Sequence, residues 1–269
     1  MNQGENNARV DSGAADSDVL GHIRDRGFAV VPDMIDADTV WTMKERLQRA
    51  INEDLEAWRG SEYPDAWMVH NLMTRDRVFA QFLENAVLHA YLSPLLGDTC
   101  IVYAYTSSSM PPSGANFSHR VHVDSPRVIP GYWTNVGVML ALDDYTSENG
   151  ATRFLPHSFE QETPPAVEEF LEHSEETFPR AGDAVVFNAR TWHMGGMNKT
   201  TEPRHAITLN VCRSYMRQRF DYPRLVGDET LKHIGETGRR FLGFNVRMPA
   251  QLSEYYLPDG QRLYKAGQG

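Results

Sequence analysis

Apolar residues recur at three- and four-residue spacing only in the first third of this chain. From residue 101 onward they come in short β-branched and aromatic runs broken by Pro, Gly, Ser and Asn. Helices first and many short strands afterwards restrict the chain to an α+β class with a sandwich or barrel core. The spacing predicts a helix over Asp18–Asp25 and a long one over Asp36–Trp58. Asp36 or Asp38 caps the second, and Val40, Met43, Leu47, Ile51 and Leu55 form its apolar stripe. A third helix is expected over Arg77–Leu96, ended by Gly97. Phe28–Val31 reads as a short strand between the first two helices. Further strands are expected over Ile101–Thr106, Arg120–Asp124, Trp133–Leu142, Ala151–Leu155, Ala184–Asn188 and His205–Tyr215. After Pro223 the pattern predicts a short helix and a loose end.

Composition excludes several functions. The net charge of −10 opposes a phosphate backbone, so nucleic acid is not an expected partner. No apolar run reaches the roughly 18 to 20 residues of a membrane helix, and no basic-then-apolar leader opens the chain. Residues 1–18, rich in Asn, Gly, Asp and Ser, read as a mobile tail, and 19–269 as one domain. Cys100 and Cys212 lie in apolar surroundings, and two buried free thiols are expected. A reducing cytoplasm suits that usage.

The chemistry-bearing residues lie in the strand region. His122 and Asp124 are two apart, so on a strand both face one side and offer an imidazole and a carboxylate to one ion. His-x-Asp alone is a weak signal. It gains weight from Thr191-Trp192-His193, which follows the apolar run Ala184–Asn188, and from Arg204, 11 residues beyond His193. On the strand that Arg204 opens, Ala206, Thr208, Asn210, Cys212 and Ser214 share its face. That small, polar face suits a cavity lining, and a guanidinium fork at its mouth suits a carboxylate.

His-x-Asp, a distal His about 70 residues on and the Arg beyond it resemble the phytanoyl-CoA dioxygenase family of 2-oxoglutarate oxygenases. The run Ala141-Leu142-Asp143-Asp144 through Glu148-Asn149-Gly150, and then Leu155-Pro156-His157-Ser158, is similar to that family's "ALDD…ENG…PGSH" stretch. The likeness runs from about Gly27 to about Pro223. The chain departs from the pattern at His157, where Gly is usual, and at Phe159, where His is usual. It departs again at Met139, where an aromatic residue is frequent, and at Gly195, where a small polar residue is frequent.

The resemblance implies a double-stranded β-helix (a jelly-roll or cupin-like barrel) with the N-terminal helices packed outside. It implies Fe(II) held by His122, Asp124 and His193, and 2-oxoglutarate chelating the metal with its far carboxylate on Arg204. Thr134 and His119 are further candidates for the co-substrate. The implied reaction spends O2 and 2-oxoglutarate, releases succinate and CO2, and hydroxylates an unactivated C–H bond of a small or medium-sized metabolite. Halogenating relatives carry Gly or Ala where Asp124 stands, so halogenation is not expected. Desaturation, epoxidation and cyclisation use the same metal site. More distant alternatives are a cupin-like metal isomerase or hydrolase needing no co-substrate, and a non-catalytic barrel that only binds. Tyr103 and Tyr105 are expected in the barrel core. Trp67–Leu72 is expected to pack, with a substrate-facing lid as the alternative.

Overall fold

The computed structural model describes residues 14–59 and 67–268. Helix α1 (Ser17–Arg26) is capped by the Asp16 carboxylate, which accepts from the Asp18 and Val19 amides. The expected tail therefore ends sooner than residue 18, and its residues 1–13 lie outside the described part. Gly27, at φ +91°, ends α1 in the left-handed region that glycine tolerates, and its carbonyl accepts from Asn188 N–H and the Thr191 hydroxyl. This turn ties α1 to the segment that leads to His193.

Strand β1 (Phe28–Val31) follows, and then α2 (Ala37–Ala57), capped by Asp36 on the Thr39 amide. Its buried stripe is Val40, Met43, Leu47, Ala50, Ile51 and Asp54, while Leu55 is exposed. Asp54 is tolerated inside because Arg75 reaches it at 2.6 Å. The expected helix over Arg77–Leu96 is two helices, α3 (Arg77–Phe82) and α4 (Ala86–Leu96). Asn85 divides them: its side-chain oxygen caps the Leu88 amide and its amide group reaches the Met34 carbonyl.

The remaining strands are β2 (Ile101–Ser107), β3 (Asn135–Ala141), β4 (Arg153–Phe154), β5 (Glu175–Glu176), β6 (Ala184–Asn188), β7 (His193–Met194) and β8 (Ala206–Cys212). Helix α5 (Val167–His173) sits between β4 and β5. A five-stranded antiparallel sheet runs β1-β6-β3-β8-β2, and a three-stranded one runs β5-β4-β7. Their inner faces meet where Phe154 of β4 stacks on Phe28 at 4.8 Å and meets the tilted ring of Phe187 at 5.1 Å. The fold is the expected α+β double-stranded β-helix. The larger apolar core lies between the five-stranded sheet and the helices, and a smaller one fills the barrel.

Two expectations need correction here. Residues 120–124 form no strand: only His122 pairs, in a single bridge to His193, because turn bonds from His119 to Asn116 and from Arg120 to Ser118 use the backbone before it. The chain beyond Pro223 is also less loose than expected. Helices α6 (Tyr222–Leu225), α7 (Asp228–Leu231), α8 (Glu236–Phe241) and α9 (Leu252–Tyr255) follow, and Tyr222, Phe241 and Leu242 are buried in the larger core. Cys100 and Cys212 are buried and unbridged, as expected, and burial raises their thiols to about 11 and about 12.

Candidate metal centre

His122, Asp124 and His193 converge although the expected strand is missing. Reciprocal backbone bonds of 3.0 Å between His122 and His193 lock the two segments together, and the Asp124 amide donates to the Ala189 carbonyl at 2.8 Å. The imidazole centres stand 4.2 Å apart. Asp124 Oδ1 lies 3.7 Å from His122 Nε2 and 4.0 Å from His193 Nε2. Adjacent ligands on an octahedral ion with bonds of about 2.1 Å stand about 3.0 Å apart, so sub-ångström movements bring all three donors onto one ion. Among the described residues this is the one group of His, Cys, Asp and Glu side chains placed to hold a metal.

The second ring nitrogens fix which atoms face the ion. His122 Nδ1 donates to the Arg120 carbonyl at 2.8 Å, and His193 Nδ1 to the Thr191 carbonyl at 2.9 Å. Each bond goes two residues back along the chain and leaves the Nε2 lone pair free. Burial, and next the neighbouring His193, push the His122 imidazole down to about 4, so it is neutral near pH 7. Phe154 stacks on the His193 ring at 5.4 Å and Phe187 meets it edge-on at 5.1 Å. The Phe187 ring fits because its cross-strand partner is Gly137, where a Cβ would lie 2.1 Å from it.

The triad opens on a cavity of about 470 Å³. Its inner end is barrel interior: Met139, Thr152, Phe154, Phe187 and Thr208. Arg204 stands two residues before β8, bridged to Met110 and in alternation with Thr208 and Asn210, which both line the cavity, although Arg204 itself does not. It is 1% exposed, and its guanidinium sits 4.0 Å over the Tyr145 ring. Its Nη2 reaches the Ser108 carbonyl at 3.5 Å, while Nε and Nη1 are buried without a hydrogen-bond partner among the described residues, as is the Tyr145 hydroxyl. A buried cation with two idle donors costs stability unless an anion completes it. Two imidazoles and a carboxylate suit Fe(II), and the idle donors of Arg204 suit a carboxylate, so the residues fit both the metal and the co-substrate that the resemblance implied.

The weaker expectations fall elsewhere. The His119 Nδ1 donates to the Gly195 carbonyl at 2.8 Å, and the Thr134 hydroxyl meets that of Ser125 at 3.2 Å. Neither lines the cavity. Tyr103 does line it, whereas Tyr105 is core, its hydroxyl donating to the Phe79 carbonyl at 3.2 Å. Trp67–Leu72 packs as expected at Val69 and Leu72, which are buried, while Met68 and His70 line the cavity. Sequence reasoning missed Ser108, whose neighbours carry no distinguishing pattern, and Tyr145, which sits inside the Ala141–Gly150 run that carries the resemblance but is not marked by it as a contact of Arg204.

Departures from the family pattern have local causes. His157 has φ +60°, the left-handed conformation in which glycine is usual, and its Nδ1 donates to the Asp25 carbonyl at 2.8 Å. At Gly195 a side chain would displace its neighbours, since a Cβ would fall 2.3 Å from the Ser118 hydroxyl and 2.6 Å from the Met110 methyl. Met139 takes part in the cavity wall, with its sulfur 3.4 Å from the Thr152 hydroxyl.

Comparison with known proteins agrees with this geometry. The model of the family described as phytanoyl-CoA dioxygenase (PhyH) matches residues 23–206. An uncharacterised Mycobacterium tuberculosis protein, Rv1501, is 30% identical over 90% of this chain and 92% of its own. The dioxygenase sphC of Aspergillus fumigatus is 28% identical over 76% of this chain and 58% of its own. Among solved structures, EctD from S. alaskensis with 2-oxoglutarate and 5-hydroxyectoine is similar in fold at a TM-score of 0.64 and 18% identity. That match covers 76% of this chain and 78% of EctD. The chain belongs to the phytanoyl-CoA dioxygenase (PhyH) family.

Proposed function

We propose that this protein is a non-haem Fe(II)- and 2-oxoglutarate-dependent oxygenase that hydroxylates an unactivated C–H bond of a small or medium-sized metabolite. The reading includes one catalytic domain over 19–269 in the cytoplasm. The observation that carries it is a three-donor site opening on a cavity that β8 helps to line, together with a buried arginine two residues before β8 whose Nε and Nη1 have no partner among the described residues.

Bound Fe(II), with 2-oxoglutarate and O2, supplies the oxidising power, and succinate and CO2 leave as by-products. The chain's residues do the rest. His122 and His193 present neutral Nε2 atoms, held by their Nδ1 bonds, and Asp124 adds the one negative charge. Arg204 binds the far carboxylate of 2-oxoglutarate, and Tyr145 holds the guanidinium plane from beneath. Phe154 and Phe187 keep water from the His193 side. Asp124 occupies the position that halide would need, which favours hydroxylation over halogenation.

The test is mass spectrometry of product formed under labelled dioxygen in chloride buffer, with succinate counted alongside. One labelled oxygen per product and matched succinate are expected. A chlorinated product, or turnover that ignores 2-oxoglutarate, would defeat the reading.

A further inference from the structure

The outer part of the cavity carries a charge pattern opposite to the protein as a whole. Arg120 and Arg219 both line it, and both are exposed. They come from different segments. Arg120 stands two residues before the ligand His122, with its guanidinium 4.2 Å over the Phe117 ring. Arg219 follows β8, and its backbone amide donates to the carbonyl of Tyr103, itself a lining residue, at 3.0 Å. Neither guanidinium has a carboxylate partner within 4.0 Å or a side-chain hydrogen bond among the described residues. Among the described residues the one acidic side chain lining the cavity is Asp124, which is committed to the metal.

Elsewhere among the described residues some arginines are paired and others, such as the exposed Arg77, Arg127 and Arg217, are not, so what distinguishes Arg120 and Arg219 is that both line one cavity. Of the paired ones, Arg26 meets Glu175, Arg49 meets Glu53 and Arg262 meets Asp259. In a chain with ten net negative charges, two unpaired guanidinium groups at the mouth of one cavity leave a local positive field. Such a mouth attracts an anion and gives it two forks, each able to take a carboxylate or phosphate oxygen pair.

We propose that the substrate of this oxygenase carries an anionic group, a carboxylate or a phosphate ester. Arg120 and Arg219 grip it at the cavity mouth, and its apolar part runs inward past Phe117 and Met68 toward the metal. This rests on the oxygenase reading above and adds the substrate class. The site is separate from Arg204, which is buried against Tyr145, does not line the cavity mouth and is kept for 2-oxoglutarate. Arg120 and Arg219 are thus specificity-determining residues for the proposed reaction.

The experiment is anaerobic calorimetric titration of the full chain, loaded with Fe(II) and saturating 2-oxoglutarate. The probes are octanoate, octyl phosphate and octan-1-ol, which share a chain and differ in the head group. The visible charge-transfer band of the loaded protein is recorded before and during titration. At least one of the two anions is expected to bind about tenfold more tightly than the alcohol, with the band retained. The two arms tell a carboxylate site from a phosphate site. The double variant Arg120→Gln/Arg219→Gln is expected to lose that preference while its affinity for octan-1-ol stays within about twofold. Equal binding of all three probes by the wild-type chain would overturn the proposal, and this outcome needs no variant to fold. A preference that survives in the double variant would overturn it too, as would bleaching of the band, which marks displacement of 2-oxoglutarate at Arg204. If the band never forms but the preference is present, the oxygenase reading fails while the anion-binding mouth stands.

Discussion

The guanidinium of Arg204 lies 4.0 Å over the ring of Tyr145, and neither the Tyr145 hydroxyl nor Arg204 Nε and Nη1 is hydrogen-bonded among the described residues. Burial lowers the affinity of Arg204 for its proton, while Tyr145 and Asp143 work against that loss. Burial likewise raises the Tyr145 phenol, so the ring under the cation stays neutral. The pair is a preorganised anion seat: a planar fork held flat by an aromatic face, with its remaining donors unspent.

Arg204→Ala is expected to raise the 2-oxoglutarate requirement by roughly ten- to a hundredfold, since a charge-assisted pair contributes on the order of 1.5 to 3 kcal/mol. Iron content should change little. Arg204→Lys should recover only part of the loss, because an ammonium cannot form the fork. Tyr145→Phe keeps the ring and tests the hydroxyl alone. Succinate release against 2-oxoglutarate concentration reads all three variants, and an unchanged requirement in Arg204→Ala would move the anchor to another cation.

His122→Ala, Asp124→Ala and His193→Ala should each abolish 2-oxoglutarate turnover and lower retained iron, measured by metal analysis after desalting. No other described side chain stands ready as a spare donor. Near-normal activity with iron bound in any one variant would remove that residue from the ligand set.

The chemistry was more legible than the geometry that delivers it. His122 and Asp124 were readable from their spacing, yet the strand invoked to align them is absent. One bridge to His193 and one bond from the Asp124 amide to Ala189 do the same work. Those are contacts between segments about 70 residues apart, which local periodicity does not record. Arg204 and the polar face of β8 were readable because alternation along a strand is local. Thr134 and His119 were placed near the co-substrate by closeness in sequence, but their side chains are bonded to Ser125 and to Gly195. The break at Asn85 went unread because its cap competes with a helix that the apolar pattern alone would continue.

Gly137→Ala tests whether the packing behind His193 matters to the metal. A Cβ there would lie 2.1 to 2.6 Å from three atoms of the Phe187 ring, so the ring must shift. Overpacking of this kind costs about 1 to 3 kcal/mol. The expected outcome is a lower melting temperature together with weaker iron binding, because Phe187 contacts the His193 ring. Reduced stability with unchanged iron affinity would show that the ring orientation does not depend on Phe187.

The last prediction concerns acid. His205 is 1% exposed and lies next to Arg204 in the chain. Its Nε2 donates to Gln48 Oε1 at 3.0 Å, which leaves Nδ1 to accept from the Ser109 hydroxyl at 2.9 Å. Its backbone amide donates at 2.7 Å to the carboxylate of Asp143, which also pairs with Lys44. Burial, opposed by Asp143, pushes the imidazole down to about 4. In the unfolded chain it titrates near the ordinary value of about 6.5. The unfolded state therefore binds the proton first, and stability is lost as pH falls from about 6.5 towards 4, while above 6.5 this group contributes no slope. The depression corresponds to a loss on the order of 2 to 3 kcal/mol across that window. His122 adds to the same slope in the metal-free protein. His205→Gln keeps an acceptor and a donor but cannot titrate, so the variant should lose less stability than the wild type between pH 7 and pH 5. Urea unfolding of the metal-free chain at the two pH values measures this, and identical slopes for the two proteins would mean that His205 is not held neutral by its burial.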